Sequence, residues 1–162
     1  LERLVEGSAR RYEAWFMNRA DVVVAPSESA CAHLREIGVE TPIREVPNGV
    51  DAEFFSPATD EEMASFRDRH DLPDGPLVGY TGRHGYEKDL TEIPPALAAS
   101  DTDATVVFGG DGPAREDVER AAAEHDIDAR FLGFLDREDL PAFYSTLDAF
   151  LLPSPVETQG LV

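Results

Sequence analysis

The sequence predicts an α/β protein built on a parallel sheet with flanking helices. Three observations predict it. From Pro76 onward, short apolar runs alternate with segments of helical periodicity; each apolar run stops at a glycine or a polar turn; and each turn opens the next helix. Strand–helix–strand order of this kind requires parallel strands joined by right-handed crossovers, with helices lying on the sheet.

The strands are read at Leu77–Thr81, Thr105–Phe108, Arg130–Leu132 and Ala149–Leu152, and the helices at about Glu92–Ser100, Ala114–His125 and Glu138–Leu147. Pro94 and Pro95 are tolerated if Thr91 caps the first of these helices, because the first helical N–H groups lack partners anyway. Arg83 to Leu90 is then an exposed loop. Pro113 suits the first position of the next helix.

Upstream the pattern is shorter. Leu1, Leu4, Val5, Tyr12, Trp15 and Phe16 recur on one helical face, which predicts a packing helix ending near Ala20. Asp21–Ala25 reads as a buried strand. Ser27 caps a helix that turns Ala30, Cys31, Leu34 and Ile37 inward and stops at Gly38. Ile43–Val46 is a further strand, and Asn48-Gly49 predicts a tight turn with positive φ. Periodicity is lost from Asp51 to Ala58, which marks a domain boundary. Thr59-Asp60-Glu61-Glu62 then forms a capping box for a helix holding Met63 and Phe66. The organisation read from this is residues 1–50 as one part, 51–59 as a linker and 60–162 as a second part.

A net charge of −19 over 162 residues, with thirteen Arg and the single Lys88, makes nucleic acid an unfavourable partner. The 42% hydrophobic content argues against disorder and leaves an acidic, lysine-poor surface suited to high salt. The lone Cys31 is read as apolar filler, permits no internal disulfide and fits a reducing cytoplasm. No run approaches the ~18 apolar residues of a membrane span. The sequence starts on Leu1 and stops on Val162 inside running patterns, so both ends are expected to be truncated.

In an open parallel sheet, ligands bind beyond the carboxyl ends of the strands. There the sequence places Gly82-Arg83-His84-Gly85-Tyr86-Glu87-Lys88, Gly109-Gly110-Asp111-Gly112-Pro113, Gly133-Phe134-Leu135-Asp136 and the closing turn with Glu157. Arg83 and Lys88 supply a guanidinium fork and a point charge at a helix start, a combination suited to a diphosphate. His84 and Tyr86 are read as structural or peripheral. The glycines from 109 to 112 are explained either by turn geometry or by close approach of a ligand. They lack the lysine of a P-loop and the spacing of a dinucleotide fingerprint. Gly160, just after Glu157, suits a backbone that must approach a bound group.

In this order, Val24-Ala25-Pro26-Ser27, Val46-Pro47-Asn48-Gly49-Val50-Asp51, Gly82-Arg83 with Glu87-Lys88, Gly110-Asp111-Gly112-Pro113, Phe131-Leu132-Gly133, and Pro153-Ser154 with Glu157-Thr158-Gln159-Gly160-Leu161 resemble the retaining, nucleotide-sugar-dependent glycosyltransferases of family 4. The resemblance implies the GT-B arrangement of two Rossmann-like domains. Residues 1–50 would close the acceptor-side domain, and 60–162 would be an incomplete donor-binding domain. Arg83 and Lys88 would hold the donor diphosphate and neutralise the leaving group. Gly82 and Gly133 would approach the donor, the latter near its base. Glu157 would face the donor sugar as the first glutamate of an E-x7-E pair whose second member falls beyond Val162. Backbone N–H groups of Gln159, Gly160 and Leu161 would reach sugar hydroxyls or phosphate.

The family needs no metal and no cofactor besides the nucleotide-sugar donor substrate. Its acceptor here is left open among sugars, lipids and lipid-linked glycans. Glu157-Thr158-Gln159-Gly160 is similar to branches that glycosylate lipids or lipid-linked sugars. The protein is expected in the cytoplasm, with peripheral contact at the inner membrane surface. Without an acceptor half, the segment is expected to be inactive alone. The rival expectations are a non-catalytic nucleotide-sugar-binding module and, on the same fold, a phosphorylase or an epimerase.

Overall fold

The computed structural model describes residues 2–155 and residue 157, with side chains from residue 7 onward. The chain divides into two compact units, residues 2–50 with Glu157, and residues 51–155. Gln159, Gly160 and Leu161 lie outside the described residues.

The first unit holds α1 (Glu2–Met17), β1 (Val23–Ala25), α2 (Glu28–Glu36) and β2 (Ile43–Glu45). The two strands pair in parallel with Val23 opposite Ile43. Ser27 caps α2 by accepting from the Ala30 N–H, and Gly38 ends it at φ +100°. Cys31 is buried, as are Ala14, Ala25 and Val39 in the same unit, which fits its reading as filler. Asn18 ties the end of α1 to the next turn: its amide donates to Gly38 O, and its Oδ1 accepts from the Glu40 and Thr41 N–H groups.

Two expectations fail here. The aromatic face of α1 does not pack inward: Tyr12, Trp15 and Phe16 are 52–64% exposed. Trp15 is covered instead by Tyr12 and by the Arg19 guanidinium, 3.5 Å from its ring centre. Asn48-Gly49 makes no positive-φ turn either, since residues 46–50 run on without a turn. Among the described residues no strand returns beside it, so the chain has no need to reverse at Asn48.

The second unit holds α3 (Asp60–Arg69), β3 (Leu77–Thr81), α4 (Ile93–Ala98), β4 (Thr105–Gly109), α5 (Arg115–Glu124), β5 (Ala129–Gly133), α6 (Leu140–Thr146) and β6 (Ala149–Phe150). All pairs are parallel, in the order β5-β4-β3-β6. The chain first steps outward from β3 to β5 and then crosses back to place β6 on the other side. That reversal is the point at which such sheets open a ligand crevice. β3 and β4 are buried along their whole length, as central parallel strands covered on both faces must be.

Alternation along β3 sends Val78 and Tyr80 to one face and Leu77 to the other. The first face joins Leu90, Ile93, Val106, Phe108 and Val118 in a core under α4 and α5. The second joins Phe66, Val107 and Phe143 under α3 and α6. The capping box at Thr59 forms as expected: its hydroxyl accepts from the Glu62 N–H while the Glu62 carboxylate accepts from the Thr59 N–H. These bonds hold the Glu62 carboxyl below its ordinary pKa.

Three local expectations are corrected. Thr91 does not cap α4. The N-cap is Glu92, without a side-chain bond, because Thr91 is already inside a single 3-10 turn, Leu90–Glu92. Pro113 lies one residue before the Ala114 N-cap of α5 instead of at its first helical position. The stretch 83–90 is an exposed loop only in part: Arg83, Tyr86, Glu87 and Asp89 are exposed, but His84, Gly85 and Leu90 are buried, and Leu90 enters the core.

Candidate functional site

Three loops from the carboxyl ends of β3, β4 and β5 meet a face of α6 around one cavity of about 520 Å³. Its lining includes Gly82, Arg83, Gly110, Asp111 and Gly112 on one side and Phe134, Leu135, Leu140 and Tyr144 on the other. The volume falls in the range of small-molecule sites, and so does the pattern of a mostly apolar wall facing a few polar groups.

The polar side is built by backbone packing. β3 ends at Gly82, whose φ of +141° no ordinary L-residue adopts readily; a Cβ there would also lie 2.8 Å from the Tyr80 hydroxyl. That hydroxyl donates to Arg83 O at 3.1 Å and so fixes the carbonyl of a residue that lines the cavity. The turn after β4 fits under it. Gly82 N–H donates to Gly109 O, His84 N–H to Asp111 O, and Ala114 N–H to His84 O. Gly110 takes φ +99°, donates to Gly133 O, and sits so close to Gly82 O that a Cβ would be 2.0 Å away. The glycines between 109 and 112 therefore answer first to the neighbouring loop, and Gly110 and Gly112 also border the cavity.

Arg83 is exposed, and among the described residues its guanidinium forms no ion pair. Arg115 differs. It binds Glu119 at 2.8 Å and Asp111 at 3.7 Å, which raises its pKa, the bond to Glu119 being the main cause. Of the two arginines beside the loops, Arg83 is thus the one whose charge is uncommitted. Tyr144 has its phenol pushed to a higher pKa by burial and stays neutral at ordinary pH.

Lys88 ends a single 3-10 turn, Tyr86–Lys88, closed by Asp89 in the left-handed region at φ +48°. The turn is joined to the segment after β6 by the Ser154 hydroxyl, which donates to Glu87 O at 3.3 Å. The loops after β3 and β6 thus touch at the reversal of strand order. Of the residues expected from sequence, Gly82 and Arg83 line the cavity. Gly133 supports it from behind through Gly110. Lys88 is half-buried on the same loop as Arg83 but not in the lining. Glu157 is half-buried and groups with the first unit.

Sequence reasoning placed Phe134 and Leu135 at this edge, in the stretch after Gly133, but gave them no role. It missed Leu140 and Tyr144, since helical periodicity marks them only as an inward face. A second depression, of about 450 Å³, lies by Phe54, Glu61, Glu62, Arg69, Glu138 and Asp139. Its one cation, Arg69, is bound to Asp139 at 2.7 Å. An anionic ligand would be repelled there and favoured beside Arg83.

Comparison with known proteins identifies the family. Residues 2–54 match the family model described as Glycosyltransferase Family 4, and residues 62–162 match Glycosyl transferases group 1. The chain belongs to the family 4 glycosyltransferases. It is 32% identical to 2-deoxystreptamine glucosyltransferase of Streptomyces kanamyceticus over 99% of this chain and 43% of that protein. It is 34% identical to a sulfoquinovosyl transferase of Arabidopsis thaliana over 91% of this chain and 29% of that one. The chain thus spans less than half the length of either relative.

Among solved structures, sucrose-phosphate synthase from Thermosynechococcus elongatus superposes with a TM-score of 0.82 at 26% identity, over 95% of this chain and 40% of that one. HepE of Anabaena, in complex with UDP and glucose, gives a TM-score of 0.83 at 18% identity over 94% of this chain and 43% of that one. These likenesses show the GT-B glycosyltransferase fold. Among the described residues no group of three or more His, Cys, Asp or Glu is arranged to hold a metal ion. No described helix is long and apolar enough to cross a membrane.

Proposed function

We propose that this chain carries the nucleotide-diphosphate-sugar site of a glycosyltransferase that retains anomeric configuration and works without a metal ion. The observation that carries the reading is Arg83 in the lining of the cavity at the carboxyl edge of the sheet, its guanidinium in no ion pair among the described residues. The diphosphate lies against Arg83 and Lys88, which stabilise the negative charge that develops on the departing nucleotide. Gly82 offers backbone without a side chain in the way. The base lies toward Gly133 and the apolar wall of Phe134 and Leu135. Glu157 and the backbone of Gln159, Gly160 and Leu161 hold the hydroxyls of the transferred sugar.

The relatives support this reading by name, as glucosyl- and sulfoquinovosyl-transferases, and HepE by its complexes with UDP and UDP-glucose. The acceptor is a sugar, a lipid or a lipid-linked glycan, and the protein works in the cytoplasm at the inner membrane surface. Calorimetric titration with UDP-glucose and GDP-mannose tests the donor site. One of them binds saturably, and Arg83→Ala and Lys88→Ala each weaken it about tenfold or more, which is ~1.4 kcal/mol or more. With the full-length protein, NMR of the product shows the donor's anomeric configuration, and chelator leaves the rate unchanged. Binding that ignores both substitutions overturns the site.

A further inference from the structure

Beside Arg83 sits a side chain that the donor reading leaves without a task. His84 is fully buried, and it is the most enclosed polar group on the loop after β3. Its ring contacts the rings of Tyr80 and Phe108, each 6.0 Å away between centroids. Its Nε2 is 3.2 Å from Gly109 O. A carbonyl only accepts, so Nε2 carries the proton and Nδ1 is bare. Among the described residues Nδ1 has no hydrogen-bond partner. The backbone of the same residue makes two bonds, through its N–H to Asp111 O and its carbonyl from Ala114 N–H. Two bonds therefore run from one residue to the glycine turn and a third to the α5 N-cap just after it, at the position next to Arg83.

We propose that His84 is the positioning residue of the donor site: in its neutral form it locks the Gly82–Arg83 loop onto the Gly109–Gly112 turn and so aims Arg83 at the diphosphate. The inference rests on the donor reading above and adds a condition to it. Protonation would place a second N–H, at Nδ1, in an enclosed space with no acceptor, a costly state for a buried charge. The lock then opens and Arg83 loses its aim. Burial accordingly holds His84 below the usual histidine pKa. The charged groups facing it are Asp111 and, from α5, Arg115 and Glu119; the two carboxylates favour the proton and Arg115 opposes it. β3 and β4 present the rings of Tyr80 and Phe108. On its own loop Arg83, Glu87 and Lys88 are the charged neighbours in sequence. Donor affinity should therefore fall with acid, although a nucleotide-sugar diphosphate keeps its charge over the same range.

The test uses the whole protein, UDP-glucose and GDP-mannose as probes, and titration calorimetry at several pH values. For the wild type, affinity falls about fivefold or more between about pH 7.5 and pH 5. His84→Gln, whose amide can still donate to Gly109 O but cannot take a proton, binds within about threefold of wild type at neutral pH and loses the acid dependence. His84→Phe, which fills the space without a donor, is weakened about tenfold at every pH. His70→Gln, on α3's far end, keeps the wild-type profile. A ligand-free readout stands beside these: ¹⁵N NMR of the imidazole shows the Nε2–H tautomer of His84 at neutral pH. An unchanged acid dependence in His84→Gln, or an Nδ1–H tautomer, overturns the inference while leaving the donor site standing. Absence of donor binding in the wild type at all pH values overturns the donor reading and this inference with it.

Discussion

Replacing Gly110 by alanine tests how the site is assembled. Gly110 sits at φ +99°, a region that costs an L-residue about 1–2 kcal/mol. A Cβ there would stand 2.0 Å from Gly82 O and 2.9 Å from Gly82 C, both backbone atoms that cannot swing aside. Relieving that overlap by shifting a packed backbone costs about 1–3 kcal/mol more. Gly110→Ala should therefore destabilise the chain by about 2–5 kcal/mol in urea unfolding, and weaken donor binding by displacing Gly82 and Arg83. Gly133→Ala is the matched control. Its φ is +72°, but a Cβ there would meet nothing within 4 Å, so only the conformational cost of about 1–2 kcal/mol applies. The difference between the two variants isolates the contact between the loops. Equal costs for the two would refute the claim that these glycines serve close packing of loop on loop.

Other outcomes follow from the same structure. Phe66→Ala, at a fully buried ring packed on Phe143 and His70, should cost about 3–5 kcal/mol in urea unfolding. Thr59→Ala removes the hydroxyl acceptor of the α3 capping box and should cost about 0.5–2 kcal/mol, read by the same method. Arg137→Ala breaks an exposed pair with Asp51 at 3.5 Å and a stack on Phe54, so the change in unfolding free energy should stay near or below about 1 kcal/mol. Stability should also depend on acid. His84 and His70 have pKa values lowered chiefly by burial, so the unfolded chain binds protons that the folded chain refuses. Their stabilising contribution is present above the unfolded histidine value of about 6.5 and is lost as pH falls through the lower folded values. Melting temperatures measured downward from about pH 7 should drop over that window, and the drop should shrink in His84→Gln.

The sheet was legible because β3 and β4 are buried on both faces and so read as unbroken apolar runs that end in glycine. The helices were legible where a local device marks them, as at Ser27, Thr59 and Gly38. Thr91 misled because a capping residue is recognised by type, whereas the side chain had already been taken into a 3-10 turn one residue before α4. His84 was undervalued for a different reason. A histidine between an arginine and a glycine reads as surface loop, and only the pairing of β3 with β4 reveals the carbonyl waiting at Gly109. Phe134, Leu140 and Tyr144 reach one cavity from β5 and α6, and no spacing in the chain records that meeting. The aromatic face of α1 shows the opposite failure: the periodicity was real, yet Tyr12, Trp15 and Phe16 are exposed, since an apolar stripe gives a face without giving its partner.

The most direct test of the donor site is a crystal structure of the protein with UDP-glucose or GDP-mannose. The account predicts the diphosphate within hydrogen-bond distance of the Arg83 guanidinium and the loop after β3, with the base against Phe134 and Leu135 beyond Gly133. A nucleotide seated elsewhere, for instance between Phe54 and Asp139 beside the paired Arg69, would contradict it.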